Sequence, residues 1–169
     1  MDKIKVIIGI VFILLILISL IYIKSSQKEI IVNENDRYSL KYSPGVFSKS
    51  YVDSSGLLTF SKNSSPHDVY LNVLYLNNTG INRKYKTSSL VEDERRIISE
   101  LEKEIVKSEE RKIGDLSGTI LYSQNYYVFI GTNERDETIM FEMTFSKNIS
   151  NKEKYMKEFY SIVQSYKSI

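Results

Sequence analysis

The feature that most constrains this chain is an uninterrupted apolar run near its start. Val6 to Ile23 reads VIIGIVFILLILISLIYI, which is 18 residues without a charge. As an α-helix the run would be about 27 Å long, close to the roughly 30 Å hydrocarbon thickness of a bilayer. Its fifteen Leu, Ile, Val and Phe residues, at about −0.4 kcal/mol each, favour insertion by about 6 kcal/mol. The run therefore predicts a transmembrane anchor in contact with the lipid bilayer.

Two alternatives stay open for this run, a cleaved signal peptide and a buried core helix. A signal peptide has an apolar stretch of about 7–15 residues and an A-x-A-like cleavage site, whereas this run is longer and the chain contains no Ala. Lys3 and Lys5 precede the run, and Lys24 and Lys28 follow it, so the positive-inside rule decides little. The short leading tail favours a single-pass cell-membrane protein, N-in, with its C-terminal domain extracytoplasmic.

Composition excludes several functional classes. Lys and Arg number 23 against 21 Asp and Glu, so the formal charge is only +2. Nucleic-acid binding, which needs a basic surface, is therefore not expected, and the even balance gives little attraction to anionic lipid. The chain has no Cys and one His, which excludes disulfides, thiolate metal sites and multi-histidine metal sites. The many Ile, Lys, Asn, Ser and Tyr residues indicate an AT-rich, bacterial coding sequence.

The sequence divides into a short tail (1–5), the anchor (6–23), a polar stalk (24–36) and one domain (37–169). Within the domain, alternating or continuous apolar residues bounded by turn residues are typical of strands. Strands are predicted at Tyr38–Tyr42, Leu57–Phe60, Val69–Leu76, Gly118–Ser123, Tyr126–Gly131 and Thr138–Ser146.

Two amphipathic helices are predicted, one from about Ser88 to Lys107 and one at the end of the chain. Their apolar stripes are Leu90, Ile97, Leu101 and Ile105 in the first helix, with Val91 and Ile98 beside them, and Tyr155, Phe159, Ile162 and Tyr166 in the second. Their predicted capping boxes are Ser89 with Glu92, and Ser150 with Glu153. Because adjacent strands imply antiparallel pairing, the fold class is α+β, with a sheet of about six strands flanked by two helices.

Three segments resemble the PsbP-like family, in the form of a bacterial, membrane-anchored relative. They are Tyr38–Phe47 (YSLKYSPGVF), Ile113–Tyr122 (IGDLSGTILY) and Phe159–Lys167 (FYSIVQSYK). The chain departs from the family pattern at Ser43, before the proline, and at Phe47, in place of Trp. The resemblance implies an α/β/α sandwich around an antiparallel sheet and an accessory or binding role. It implies no ligand residues.

Candidate catalytic and metal-binding residues are few. His67-Asp68 suggests part of a Ser-His-Asp triad, but no G-x-S-x-G motif accompanies it, and an exposed loop histidine explains it better. The acidic residues Glu92, Asp93, Glu94, Glu100, Glu102 and Glu104 are interpreted as the solvated face of the first helix. The hairpin carboxylates Glu134, Asp136 and Glu137 could hold Ca²⁺ weakly, but Arg135 interrupts them. No catalytic, cofactor-binding or metal-binding residue is assigned.

The adjacent pair Tyr126-Tyr127 is a candidate contact surface, because in a strand one ring should face the core and the other should face outward. The function expected from the sequence is a membrane-tethered, extracytoplasmic, non-enzymatic binding or accessory domain that contacts a protein partner at the cell envelope. The alternatives are a structural or regulatory subunit of a membrane complex, and an envelope hydrolase with unrecognised catalytic residues.

Overall fold

The computed structural model describes residues 10–20, 28–33, 38–47, 49–52, 57–62, 68–76, 87–146 and 149–169. Residues 10–20 are helical and are called α1 here. The predicted anchor, Val6 to Ile23, therefore lies partly outside the described residues. Within the described ranges, no helix is both long enough and apolar enough to cross a membrane.

The remaining elements follow α1 in chain order. They are β1 (Glu29–Asn33), β2 (Tyr38–Tyr42), β3 (Lys49–Val52), β4 (Leu58–Ser61), β5 (Val69–Leu76), α2 (Thr87–Glu102), β6 (Lys107–Ile113), β7 (Leu116–Tyr122), β8 (Tyr126–Thr132), β9 (Thr138–Phe145), α3 (Lys152–Gln164) and β10 (Lys167–Ser168).

In the described part of the chain, these strands form two sheets in which every pairing is antiparallel. The main sheet has seven strands in the order β3-β4-β5-β9-β8-β7-β6, and a small sheet has the order β1-β2-β10. The longest pairing joins β5 to β9 and places Val73 opposite Phe141. The predicted α+β class and antiparallel sheet are confirmed, with one strand more in the main sheet than expected and a second sheet beside it.

The main sheet is covered on both faces because its side chains alternate. On β7, Ile120 packs with one hydrophobic cluster and Leu121 with the other, and on β9 Phe141 and Met140 divide in the same way. One cluster contains Phe159 of α3, and the other contains residues of α2. The two helices therefore lie on opposite faces, as expected for an α/β/α sandwich.

The small sheet shares a face of the main sheet with α3. Tyr38 and Tyr42 of β2 are buried against the main sheet, with ring centroids 5.8 Å from Tyr75 and 5.1 Å from Phe60 respectively. We call α3 and the small sheet together the α3 layer, and α2 alone the α2 layer. The α3 layer covers the larger hydrophobic cluster, which holds most of the buried aromatic rings.

The stripe predicted for the first helix is correct at Leu90, which packs against the cluster beneath the helix, and wrong at Ile97, Leu101 and Ile105. The helix buries Val91 and Ile98, whereas Leu101 is 60% exposed and Ile105 is 90% exposed. Val91 and Ile98, which lie beside the predicted stripe in the sequence, pack against the sheet. The helix also ends earlier than predicted, at Glu102, where Lys103 takes a left-handed backbone conformation with φ of 54°.

The predicted capping boxes are also wrong. Ser89 is not a cap because the helix already includes Thr87. At the second helix the N-cap is Asn151, whose φ is 63° and whose side chain makes no capping hydrogen bond. Glu153 instead pairs with Lys157 at 2.8 Å on the helix surface. The stripe predicted for this helix is confirmed, since Tyr155, Phe159, Ile162 and Tyr166 are all buried.

Three segments are strands where none was predicted. Glu29–Asn33, which the sequence suggests as stalk, pairs along its whole length with β2. Lys49–Val52 forms an edge strand beside β4. Lys107–Ile113, partly assigned to the first helix, pairs with β7 at the other edge of the main sheet. The domain therefore begins before residue 37.

Candidate functional site

A groove lies between α2 and the strands β6 and β7. Its volume is about 550 Å³. The helix contributes one wall, and the strands contribute the floor and the other wall. The lining residues include Arg95 and Glu92 from α2, Ser108 and Glu110 from β6, and Ser117, Gly118 and Thr119 from β7. We call this the α2 groove.

Arg95 is the central cation of the α2 groove. Its Nε is shielded from solvent and has no hydrogen-bond partner among the described residues. The nearest carboxylate oxygen, Oε1 of Glu92, is 3.7 Å from this nitrogen, beyond hydrogen-bond distance. A shielded N–H without an acceptor is unfavourable by about 1–3 kcal/mol. The Arg95 side chain as a whole is 36% exposed, so a ligand or partner can contact the guanidinium, although the shielded Nε is open to an acceptor only if the side chain moves.

Hydroxyl and carboxylate groups line the rest of the groove. Thr119 Oγ1 donates to Glu110 Oε1 at 2.6 Å, and Thr87 Oγ1 lies 3.2 Å from Thr132 Oγ1. Both signs of charge and several hydroxyls are thus present together. This mixture suits a polar polypeptide segment better than an apolar small molecule, whose sites are mainly hydrophobic.

Gly118 lies in the floor of the groove. A Cβ atom at this position would lie 2.0 Å from the carbonyl oxygen of Ile130 on β8. The two backbones approach so closely that only glycine fits, opposite Gly131 in the sheet register. The floor is therefore backbone at this point.

The outer wall of the groove is the edge strand β6. Its sequence KSEERKI is exposed at every position except Ile113. Dense charge on an edge strand discourages pairing with another copy of the same strand. Among the described residues β6 has a strand neighbour on one side only, so a partner could reach its outer edge.

Two carboxylates lie on the other side of α2. Glu94 is half-buried, and burial together with the nearby charges of Glu142 and Asp93 raises the pKa of Glu94. Asn72 Nδ2 donates to Glu142 Oε2 at 3.3 Å. This pair is the arrangement in the described chain that most resembles a general acid with a neighbouring base.

The acidic residues of the first helix are mostly on its solvated face, as predicted. The side chains of Glu92, Asp93 and Glu100 are 65–71% exposed and lie within 3.7 Å of Arg95 or Arg96. Glu102 differs from them, because it accepts a hydrogen bond from Asn125 Nδ2 at 2.7 Å. The exposed ion pairs of Glu92, Asp93 and Glu100 with the arginines contribute little to stability.

The hairpin carboxylates do not converge on one point. Glu137 accepts hydrogen bonds from Asn133 Nδ2 at 2.6 Å and from Ser168 Oγ at 3.0 Å. Burial alone would raise the pKa of Glu137, but hydrogen bonds from Asn133, Tyr75 and Ser168 outweigh it and lower the pKa. Across the described ranges, no three His, Asp or Glu side chains cluster closely enough to hold a metal ion. His67 lies outside the described residues.

The prediction that one ring of Tyr126-Tyr127 faces outward is wrong. Tyr126 packs against the cluster beneath α2, and Tyr127 packs against the cluster beneath α3. Tyr127 stacks on Tyr122 with ring centroids 5.5 Å apart, and its hydroxyl lies 2.8 Å from the hydroxyl of Tyr160. Burial, followed by that hydrogen bond, raises the pKa of Tyr127. Both rings are partly buried and pack against the two faces of the sheet.

Sequence reasoning did not identify Arg95, Ser117 and Thr119 as site residues. The available signal was Ser117-Gly118-Thr119, which interrupts an otherwise apolar strand with two hydroxyls and a glycine. A comparison of the sequence with protein-family models gives no match. A comparison with curated proteins gives no match either.

Proposed function

We propose that the protein is a membrane-tethered, extracytoplasmic binding or accessory domain of a bacterial cell envelope, and that it acts through protein contacts. The observation that carries the proposal is the exposure of α1. Its ten large apolar side chains, all of residues 10–20 except Ser19, are each 45–64% exposed. A helix that is apolar on every side needs an apolar environment, and the described domain does not provide one.

The length of the apolar sequence supports lipid as that environment. The run continues beyond α1 in both directions, from Val6 to Ile23. Insertion of this run is favoured by about 6 kcal/mol. The membrane anchor, the N-in orientation and the extracytoplasmic location are parts of this proposal.

The α2 groove supports action through protein contacts. Arg95 offers a guanidinium on a side chain that is 36% exposed, Ser117 and Thr119 offer hydroxyls, and β6 offers an exposed strand edge. Extended polypeptides bind to such edges through backbone hydrogen bonds, and neighbouring side chains select them. The resemblance to the PsbP-like family, which is also a proposal, points to the same kind of accessory role.

An envelope hydrolase is the second candidate, and Glu94 is the observation that favours it. A carboxyl group with a raised pKa beside the carboxylate of Glu142 could serve as an acid–base pair. Glu94→Gln and Glu142→Gln should each abolish any hydrolysis of wall-derived substrates. An activity that survives both substitutions would exclude this pair as its source.

The tether is tested by charge insertion. Ile13→Lys combined with Leu17→Lys places two lysines in the middle of the run, at a cost of about 5–7 kcal/mol. This cost cancels the predicted insertion energy, so we expect the full chain to move from the carbonate-washed membrane fraction to the soluble fraction. The matched control is Ile13→Leu with Leu17→Ile, which should remain in membranes. A wild-type chain that is soluble without detergent would refute the tether.

The side of the membrane is tested by protease treatment of cells whose wall has been removed. Digestion of the domain in intact cells is the expected result. Protection of the domain, with digestion only after lysis, would place it in the cytoplasm and contradict the proposal.

The groove is tested by crosslinking from its floor. A photoreactive residue at position 117 should give a discrete adduct in native membranes, and Arg95→Ala should weaken that adduct. Arg96→Ala is the matched control because Arg96 lies outside the groove and is 63% exposed. Equal adducts in both variants would exclude Arg95 as a contact. A stoichiometric partner that survives solubilisation would favour a subunit of a membrane complex.

A further inference from the structure

The two outer surfaces of the sandwich carry opposite charge. In α2, the exposed charged residues are three acids, Glu92, Asp93 and Glu100, against one arginine, Arg96. In the α3 layer, the exposed charged residues in the described ranges are five lysines and two glutamates, namely Lys28, Lys41, Lys154, Lys157 and Lys167 against Glu29 and Glu153. The near-neutral balance of the whole chain therefore conceals a basic face and an acidic face.

The basic face is also the face from which the tether leaves the domain. Lys28, the first described residue after the apolar run, donates a hydrogen bond from its ammonium group to Ser161 Oγ on α3. Five residue steps separate Ile23 from Lys28, which span at most about 17 Å. If the run lies in the bilayer, Lys28 and the adjoining part of the α3 layer must lie close to the membrane surface.

Exposed apolar side chains accompany the lysines on this face. Ile30 is 61% exposed and stands opposite Lys41 in the sheet register, so the two side chains share the outer surface of the small sheet. Ile169, beside β10 and Lys167, is 57% exposed. Lysines interspersed with large apolar side chains are typical of surfaces that rest in the headgroup region of a bilayer.

We propose that the outer surface of the α3 layer, comprising Lys28, Ile30, Lys41, Lys167 and Ile169, is a membrane-docking face that takes the headgroups of anionic phospholipids. The inference rests on the proposed tether and adds an orientation to it. Lysines attract the anionic headgroups, the isoleucines enter the interface, and the acidic α2 layer is held away from the same lipids. The α2 groove consequently faces away from the membrane.

The experiment uses the full chain in nanodiscs of phosphatidylcholine, or of phosphatidylcholine and phosphatidylglycerol in equal parts. Because the natural chain has no Cys, Ile30→Cys and Glu100→Cys each accept one fluorescent label. A headgroup-linked quencher in the lipid then reports contact. We expect strong quenching at position 30 with phosphatidylglycerol, weaker quenching without it, and little quenching at position 100 in either lipid.

Charge variants test the lysines themselves. Lys41→Gln and Lys167→Gln should each reduce the ratio of docked to undocked domain roughly fivefold in phosphatidylglycerol discs. Lys112→Gln, an exposed lysine of β6 on the side of α2, is the matched control and should leave quenching unchanged. An equal loss in all three variants would show a general charge effect and overturn the assigned face.

The remaining outcomes separate this inference from the tether. If the chain elutes with the discs but position 30 is quenched no more than position 100, the docking face is refuted and the tether stands. Equal quenching at position 30 in both lipids refutes recognition of anionic headgroups. A chain that does not elute with the discs refutes the tether, and the docking face with it.

Discussion

The two layers that cover the main sheet differ in how much of each helix is buried. α3 buries Tyr155, Glu158, Phe159, Ile162 and Val163, whereas α2 buries only Val91 and Ile98. Phe159 makes edge-to-face contacts with Tyr127 and Tyr160, at centroid distances of 5.6 and 5.7 Å. α2 leaves a polar groove beside it. The α3 layer therefore supplies most of the stability, and the α2 layer has more surface free for recognition.

The variant expected to change the free energy of unfolding most is Phe159→Ala. The ring is fully buried in the larger cluster, so its removal leaves a cavity and should destabilise the domain by about 3–5 kcal/mol. Ile98→Ala, at the corresponding place beneath α2, should cost less, about 2–3 kcal/mol, because fewer side chains surround it. Urea unfolding of the two variants measures the difference. Equal losses would contradict the division between the layers.

A smaller effect is expected from the buried carboxylate of α3. Glu158 accepts hydrogen bonds from the backbone N–H of Ser43 at 2.5 Å and from its hydroxyl at 2.8 Å. Glu158→Ala leaves both donors without this acceptor and should cost about 1.5–3 kcal/mol. Glu153→Ala, on the same helix and 82% exposed, should change the free energy of unfolding by less than about 0.5 kcal/mol. Thermal unfolding of the two variants measures both losses, and a loss for Glu153→Ala as large as that for Glu158→Ala would contradict the prediction.

One carboxyl group in each region, Glu94 on α2 and Glu137 next to the α3 layer, should make the stability of the fold depend on pH in opposite directions. Glu94, on α2, has a raised pKa, so the native state binds protons more readily and stability falls as pH rises from about 4.5 through the folded pKa. Glu137, hydrogen-bonded to Ser168 of the α3 layer, has a lowered pKa, so it stabilises the fold above about 4.5 and loses this effect as pH falls through the folded pKa.

Substitution by glutamine isolates each carboxyl group. At pH 7, Glu94→Gln should stabilise the domain and Glu137→Gln should destabilise it, each by less than about 1 kcal/mol because both groups are partly solvated. Both differences should shrink in acid. Melting temperatures from pH 3 to 8 measure them, and shifts of the same sign at pH 7 would refute the assigned environments.

The smallest effect should come from the exposed side of α2. Leu101→Ala should change the free energy of unfolding by less than about 0.5 kcal/mol because the side chain is 60% exposed. Ile98→Ala on the buried side of the same helix is the comparison. Chemical unfolding that ranks Leu101→Ala as the more damaging variant would show that the helix packs through its other stripe.

Much of the fold could be predicted from the sequence where the pattern of apolar residues has one solution. β5 belongs to this group because it buries alternate residues, β8 and β9 because most of their residues are buried, and α3 because one face of the helix is buried. α2 carries two competing stripes, and only the packing on β7 and β8 selects between them. β6 is exposed on both faces, so its sequence has no alternation to reveal a strand.

The candidate site could not be predicted in this way because it forms between elements distant in the chain. Arg95 meets Ser117 and Thr119 only when α2 lies across β7. The local sequence of Arg95 is that of an ordinary charged helix. The two charged faces were likewise hidden, since a total charge of +2 gives no indication of where the charges lie.

The hydrogen bond from Lys28 to Ser161 on α3 limits which partners could reach the α2 groove. If the chain enters the domain beside α3 and α3 rests on lipid, the sheet separates the groove from the bilayer by two layer spacings, roughly 20 Å in all. A partner that lies entirely within the membrane would not reach the groove. In that arrangement, only a protein that extends well above the headgroups would contact Arg95.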